Sequence, residues 1–89
     1  MQRPRQLERI VKGFANHRRI EMLVLLARTP ELSLVEVTEA LRINFKTASE
    51  HLRRLVQAGL VMKRNEGNFV RHALTPLGTT ILKFLRILE

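Results

Sequence analysis

The sequence predicts a mainly α-helical fold: five helices with one small β-hairpin wing between the fourth and the fifth. Three observations carry that prediction. Apolar residues recur at three- and four-residue spacing in five segments, four of them opening on a residue suited to cap a helix, Asn16, Ser33, Asn44 and Thr75. The third and fourth segments follow one another with only a short turn between them. The period then drops to two on either side of NEGN, residues 65–68.

Taken in order, Leu7, Ile10, Val11 and Phe14 hold the i, i+3, i+4, i+7 spacing, which predicts helix one over about 5–14. Asn16 caps helix two, where Ile20, Leu23, Val24 and Ala27 form a stripe that Met22, Leu25 and Leu26 widen into the central core element. Thr29-Pro30 ends it, because proline disfavours the helical region for the residue before it. Ser33 and Glu36 then make an S-x-x-E capping box, with Leu32 and Val37 placed as the hydrophobic staple. Helix three runs over about Leu34–Leu41, with Val37, Ala40 and Leu41 inward. Asn44 caps helix four, about 45–58, which stops at Gly59 because glycine tolerates positive φ. LVMKR and FVRHAL flank a four-residue turn, NEGN, that contains Gly67. Thr75-Pro76 opens the last helix, about 76–88. Only the first four residues read as loose, and no repeat or interior linker interrupts the chain.

Eighty-nine residues make one small domain with one core, and with no cysteine it has no disulfide to stabilise it; a reducing compartment and oligomerisation both fit. Sixteen Lys+Arg against eight acids give a net charge of +8, a field that favours a polyanion, nucleic acid first and an anionic membrane surface second. The longest apolar run, Met22 to Ala27, is too short to span a bilayer. MQRPRQLERIVKGF is arginine-rich in the manner of a transit peptide, yet its apolar spacing fits a helix retained in the fold, so a soluble cytoplasmic protein is expected. All eight acids are glutamates, which leaves no Ser/His/Asp set, and no glycine-rich loop precedes a helix. An enzyme is not expected, nor is a cofactor. His17, His51 and His72 fall in different elements and are not expected to share a zinc; His51, at the edge of an apolar stripe, reads as a packed or hydrogen-bonded residue.

On helix four, Lys46, Glu50, Arg53, Arg54 and Gln57 fall within one arc with Thr47 at its border, and Phe45, Ala48, Leu52, Leu55 and Val56 fall opposite. A charged arc alone is usually a solvated face. A helix-turn-helix followed at once by a basic hairpin is, however, the winged-helix arrangement, in which the second helix enters the major groove and the hairpin straddles the neighbouring backbone. Lys63 and Arg64 lead into the hairpin tip and Arg71 follows it; Asn65 and Asn68 read more as turn formers than as base readers, with Asn68 kept in the candidate surface.

These residues carry a resemblance. The chain looks like the ArsR-type winged-helix transcription repressors along nearly its whole length, through FANHRRIEMLVLLA, TASEHLRRLVQAGLV and KRNEGNFVRHAL. SEHLRRLVQAGLV is similar to that family's S-x-H-L-x-x-L-x-x-A-G-L-V, and LTPLG after the wing resembles the MarR-type relatives. The resemblance implies a DNA-binding dimer that represses promoters, with Lys46, Thr47, Ser49 and Glu50 at the positions that approach base edges. Arg53, Arg54, Lys63, Arg64 and Arg71 are assigned mainly to phosphates, and Asn44 opens the same surface. Many members of the family sense metals through E-L-C-V-C-D-L on helix three; here the segment is ELSLVEV, with Ser33 and Val35 where the cysteines would stand. No soft-metal site is expected there.

In the last helix Thr80, Lys83 and Arg86 form a narrow polar strip that Ile87 encroaches on, while Ile81, Leu82, Phe84, Leu85 and Leu88 cover more than a single core needs. A second copy is the expected cover, with Leu7, Ile10, Val11 and Phe14 of helix one completing the interface. Two other functions stay open: an RNA-binding or nonspecific nucleoid module, disfavoured because the few aromatics are all phenylalanine and mostly core-spaced, and a winged helix whose apolar last helix docks a different protein.

Overall fold

The computed structural model describes residues 3–89. The order is α1 (Pro4–Phe14), α2 (His17–Arg28), α3 (Leu34–Leu41), α4 (Phe45–Gln57), β1 (Val61–Glu66), β2 (Phe69–Leu74) and α5 (Pro76–Ile87). Of the four residues read as loose, the first two lie outside the described residues, and Pro4 already begins α1.

Helices α2 to α5 each start where a side chain satisfies orphan amides, whereas α1 opens on Pro4 without a side-chain cap. Asn16 Oδ1 accepts from the N–H groups of Arg18 and Arg19 at 2.9 and 3.2 Å. Both halves of the Ser33/Glu36 capping box form. Asn44 Oδ1 accepts from Thr47 N–H at 2.8 Å. Thr75 Oγ1 accepts from Gly78 N–H at 3.0 Å while donating to the Gly59 carbonyl at 2.6 Å, which ties the start of α5 to the end of α4. Gly59 takes φ +79, and Leu60 N–H reaches back to Leu55 O at 3.0 Å to close α4. The helix-turn-helix bend closes differently: Arg42, not a glycine, takes the left-handed conformation at φ 55, and Ile43 N–H donates to Thr38 O at 3.3 Å.

α2 lies at the centre and packs on every other helix and on β2. Met22, Leu23 and Leu26 from α2 meet Val37 of α3, Ala48, Leu52 and Leu55 of α4, Leu60 and Val61 at the start of the hairpin, Phe14 of α1 and Leu82 of α5. Truncating a fully buried leucine such as Leu55 to alanine is worth about 2–5 kcal/mol. Two of the inward assignments do not hold: Ala27 and Ala40 are exposed, Ala27 at an open cleft beside β2 and α5 and Ala40 at one between α2 and α3.

The hairpin is antiparallel, with Val61 opposite Leu74, Arg64 opposite Arg71 and Glu66 opposite Phe69. NEGN is therefore not a four-residue turn. Asn65 and Glu66 belong to β1, and the loop is Gly67-Asn68 alone, with positive φ (60) at its first position. That is the type II′ pattern, whose twist matches the strands it joins. Glu31 and Leu32 add a short edge: Glu31 N–H donates to His72 O at 2.9 Å, and Leu32 O accepts from His72 N–H at 2.8 Å and from its ring Nδ1 at 2.9 Å. The hairpin is thus stitched to the α2–α3 connection, and the buried His72 is fully satisfied.

Candidate nucleic-acid interface

α4 buries Ala48, Leu52 and Leu55 and leaves Lys46, Thr47, Ser49, Glu50, Arg53, Arg54 and Gln57 exposed. The polar arc is not covered by the chain's own fold. Asn44 is exposed at the head of the same helix and its side chain is engaged as the cap. The wing stands beside this face, so that α3, α4 and both hairpin strands enclose an open groove of about 770 Å³ lined by Val35, Phe45, Ser49, Arg53, Lys63 and Phe69 among others.

The cations divide into two groups. Lys46 and Lys63 enter no ion pair among the described residues and are exposed. The arginines are paired. Glu50 accepts from Arg53 Nη2 at 2.7 and 2.8 Å and from Arg54 Nε at 3.0 Å, and these bonds, Arg53's first, hold its carboxyl below the usual carboxylate range. Arg64 is held by Glu31 at 2.9 Å and Glu66 at 2.7 Å, which raises its pKa further. Arg71 donates to Glu36 at 3.0 Å and lies over the Phe69 ring, 5.2 Å from its centroid. Arg64 and Arg71 face each other across the strands, a like-charge pair that costs stability unless neutralised. Glu31, Glu36 and Glu66 neutralise it. Arg71 thus ties the wing to α3, and Arg64 is held between two carboxylates.

Asn68 occupies the exposed second position of the wing loop, where it forms the turn and sits at the tip. Phe45 departs from the sequence expectation: it is 57% exposed at the first position of α4 instead of packing with Ala48 and Leu52. Phe69 and Phe84 are also exposed, at 58% and 48%, so only Phe14 of the four phenylalanines is a core residue. Phe45 and Phe69 each stand at the first position of their element, where spacing does not define a face, while Phe84 lies on the surplus apolar surface of α5. No local signal in the sequence marks Arg19, whose Nε donates to His51 Nδ1 at 3.1 Å and whose Nη1 donates to the carbonyls of Lys12 and Gly13 at 3.2 and 3.3 Å, linking α4 to the end of α1. His51 is hydrogen-bonded at the margin of the core, in keeping with its place on the stripe.

The apolar surfaces of α1 and α5 divide as well. Phe14 (7% exposed) and Leu82 (4%) are packed into the protomer's own core, which leaves little of either at the surface. Leu7, Val11, Phe84 and Leu88 are exposed; Ile10, Ile81 and Leu85 are partly covered. A cleft between α2 and α5 adds Ile20 and Val24 beside Leu85 and Leu88.

Ser33, at a position where the metal-sensing relatives of the resemblance carry cysteine, accepts from Glu36 N–H as the α3 cap, and Val35 points into the groove. With no thiol anywhere in the chain, this donor set does not fit a soft metal. Among the described residues no helix is long and apolar enough to cross a membrane.

A helix-turn-helix with an open polar second helix and a hairpin beside it defines a winged helix-turn-helix domain. The chain belongs to the ArsR family of bacterial regulatory proteins, whose description its residues 16–63 match over more than half of the sequence. It is 37% identical over 67 residues to the arsenic resistance transcriptional regulator of Pseudomonas putida, and 29% identical over 73 residues to a homologue of the cadmium resistance regulatory protein CadC in Staphylococcus aureus. Those alignments cover 75% and 82% of this chain but only 52% and 60% of the relatives' own lengths. Among solved structures, the homodimeric winged helix-turn-helix DNA-binding domain from Mycobacterium bovis is 30% identical with a TM-score of 0.84, covering 93% of this chain and 77% of that one. HlyU from Vibrio cholerae is 28% identical at a TM-score of 0.84, with 99% and 96% covered.

Proposed function

We propose that the chain is a sequence-specific double-stranded DNA-binding transcription regulator that acts as a homodimeric repressor. One observation carries the reading: the α4 face with Lys46, Thr47, Ser49, Glu50 and Arg53 is open and flanked by the cationic wing. In the docking geometry of such helices, Lys46, Thr47, Ser49 and Glu50 approach base edges in the major groove, while Arg53, Arg54, Lys63 and Arg64 serve phosphates and Arg71 fixes the wing. Exposed Leu7, Val11, Phe84 and Leu88, with partly covered Ile10, Ile81 and Leu85, supply the dimer surface. A twofold dimer sets two α4 helices about 34 Å apart and reads a pseudopalindrome. The homodimeric Mycobacterium bovis domain supports the dimer by likeness. The protein works by occupying promoter DNA in the cytoplasm, without catalysis, cofactor or metal.

Selection of bound fragments from random duplex DNA at physiological salt tests this, with single-stranded DNA and RNA as competitors. A palindromic consensus resistant to both competitors is expected. No enrichment, or loss of the duplex to a single strand, overturns the proposal; the three exposed phenylalanines make the single-strand arm a necessary control.

A further inference from the structure

We infer that Phe45 reads the 5-methyl group of a thymine in the major groove, as a specificity-determining residue beside Lys46, Thr47, Ser49 and Glu50. The inference deepens the DNA-binding reading and rests on it.

Phe45 is the first residue of α4, the end of such a helix that comes nearest to base edges. Its ring is 57% exposed although Ala48, one turn further on, and Leu52 are fully sequestered, so the core has no use for it. It shares the open groove with Ser49 and Arg53 of the same helix, Val35 of α3, and Lys63 and Phe69 of the wing. Unpaired Lys46 adjoins it in sequence and unpaired Lys63 faces it from the wing side of the groove. The occupant that fits has anionic edges and an apolar spot between them. A duplex offers that combination: phosphates for the lysines, and on the major-groove edge of the four bases one apolar group, the thymine methyl. A phenyl ring has no donor or acceptor, so it distinguishes bases there only by that methyl.

The methyl can be removed without altering base pairing. In the operator obtained by selection, each thymine is replaced in turn by deoxyuridine, and binding of the wild-type chain, Phe45→Ala and Phe45→Leu is measured. Wild type is expected to lose about fourfold at one thymine per half-site, the weight of one buried methyl group, and about fifteenfold when both half-sites are substituted. Phe45→Ala binds the thymine and uracil operators equally, and Phe45→Leu keeps part of the preference. Because the ring is exposed, both variants fold, which circular dichroism checks. An operator bound with indifference to every thymine methyl, or a preference that survives in Phe45→Ala, overturns the inference alone. A chain that selects no duplex sequence overturns the DNA-binding reading beneath it.

Discussion

Arg71 in the wing and Glu36 in the first turn of α3 are joined side chain to side chain, Nη1 to Oε1 at 3.0 Å. The same Oε1 accepts the Ser33 backbone N–H at 2.9 Å, so one carboxylate both closes a capping box and anchors the hairpin. Hydrogen bonding to Ser33, before the Arg71 charge, holds Glu36 ionised below the usual carboxylate range.

That double duty separates by substitution. Glu36→Gln keeps a side chain able to complete the box and loses only an exposed ion pair, so its cost is small. Glu36→Ala loses both and costs more, and Ser33→Ala costs about 1 kcal/mol. Urea unfolding of Ser33→Ala, Glu36→Ala and the double variant should give a combined loss smaller than the sum, since both remove the same box. Strict additivity counts against the shared cap.

On α4 the carboxylate of Glu50 restrains two arginines that phosphates also attract. Glu50→Gln is expected to raise affinity for nonspecific duplex and to steepen the slope of log K against log salt by about 1–2, as one or two further phosphates are neutralised. Sequence preference is expected to change at one position of the consensus. Fluorescence anisotropy across a salt series reads both; an unchanged slope means that Glu50 does not hold the arginines back from phosphates.

Helix α5 presents Phe84 half exposed and Leu88 two-thirds exposed, beyond what its own core covers. Phe84→Glu is predicted to give a folded monomer in sedimentation, with operator affinity down at least about a hundredfold as the second half-site is lost. Thr80→Glu, on the polar strip, leaves the dimer intact. A wild-type monomer in solution removes the homodimer from the proposal.

The fold was legible wherever a rule of local chemistry spoke. Asn16, Ser33, Asn44 and Thr75 each cap the helix they announce, Gly59 takes the positive φ that ends α4, and the period-two stretch forms the wing. What stayed hidden depends on neighbours distant in sequence. No local signal marks Arg42 for the left-handed bend, a conformation that asparagine or glycine more often supplies. Pairings such as Arg71 with Glu36 and Arg19 with His51 join separate elements, so the candidate surface could be enumerated from the sequence while its free cations could not be told from its bound ones. Phe14 and Leu82 show the same limit: periodicity gives a face, and only packing says whether the protomer or a partner fills it.

Gly78 in the first turn of α5 lies against the backbone of Leu60, whose carbonyl oxygen accepts from Thr75 N–H at 3.1 Å; a Cβ at Gly78 would run into that oxygen. Backbone cannot swing aside as a side chain can. Gly78→Ala is therefore predicted to destabilise by about 1–3 kcal/mol, despite alanine's better helix propensity. Thermal unfolding checks the sign, and a stabilised variant would show that α5 can lift away from the hairpin at no cost.

The Arg19–His51 contact carries a pH dependence. Burial first, then the Arg19 charge, holds the His51 imidazole below its ordinary value near 6.5; Glu50 pulls the other way more weakly, and His17 and Arg18 add to the lowering. With Nδ1 accepting from Arg19, the folded state favours the neutral ring. The fold therefore gains stability from His51 above about pH 6.5 and loses it as pH falls through the lowered pKa. Glu36, Glu50 and Glu66, all lowered, add their own loss at lower pH, as the unfolded carboxylates begin to protonate towards 4.5. Melting temperature is expected to decline as pH falls below about 6.5 in the wild type and to decline less in His51→Gln, whose amide oxygen can still accept from Arg19. Since Arg19 also holds the α1 carbonyls of Lys12 and Gly13, acidification should loosen α1 from α4 and weaken dimer and operator binding together. Equal slopes in the two proteins would place the acid sensitivity elsewhere.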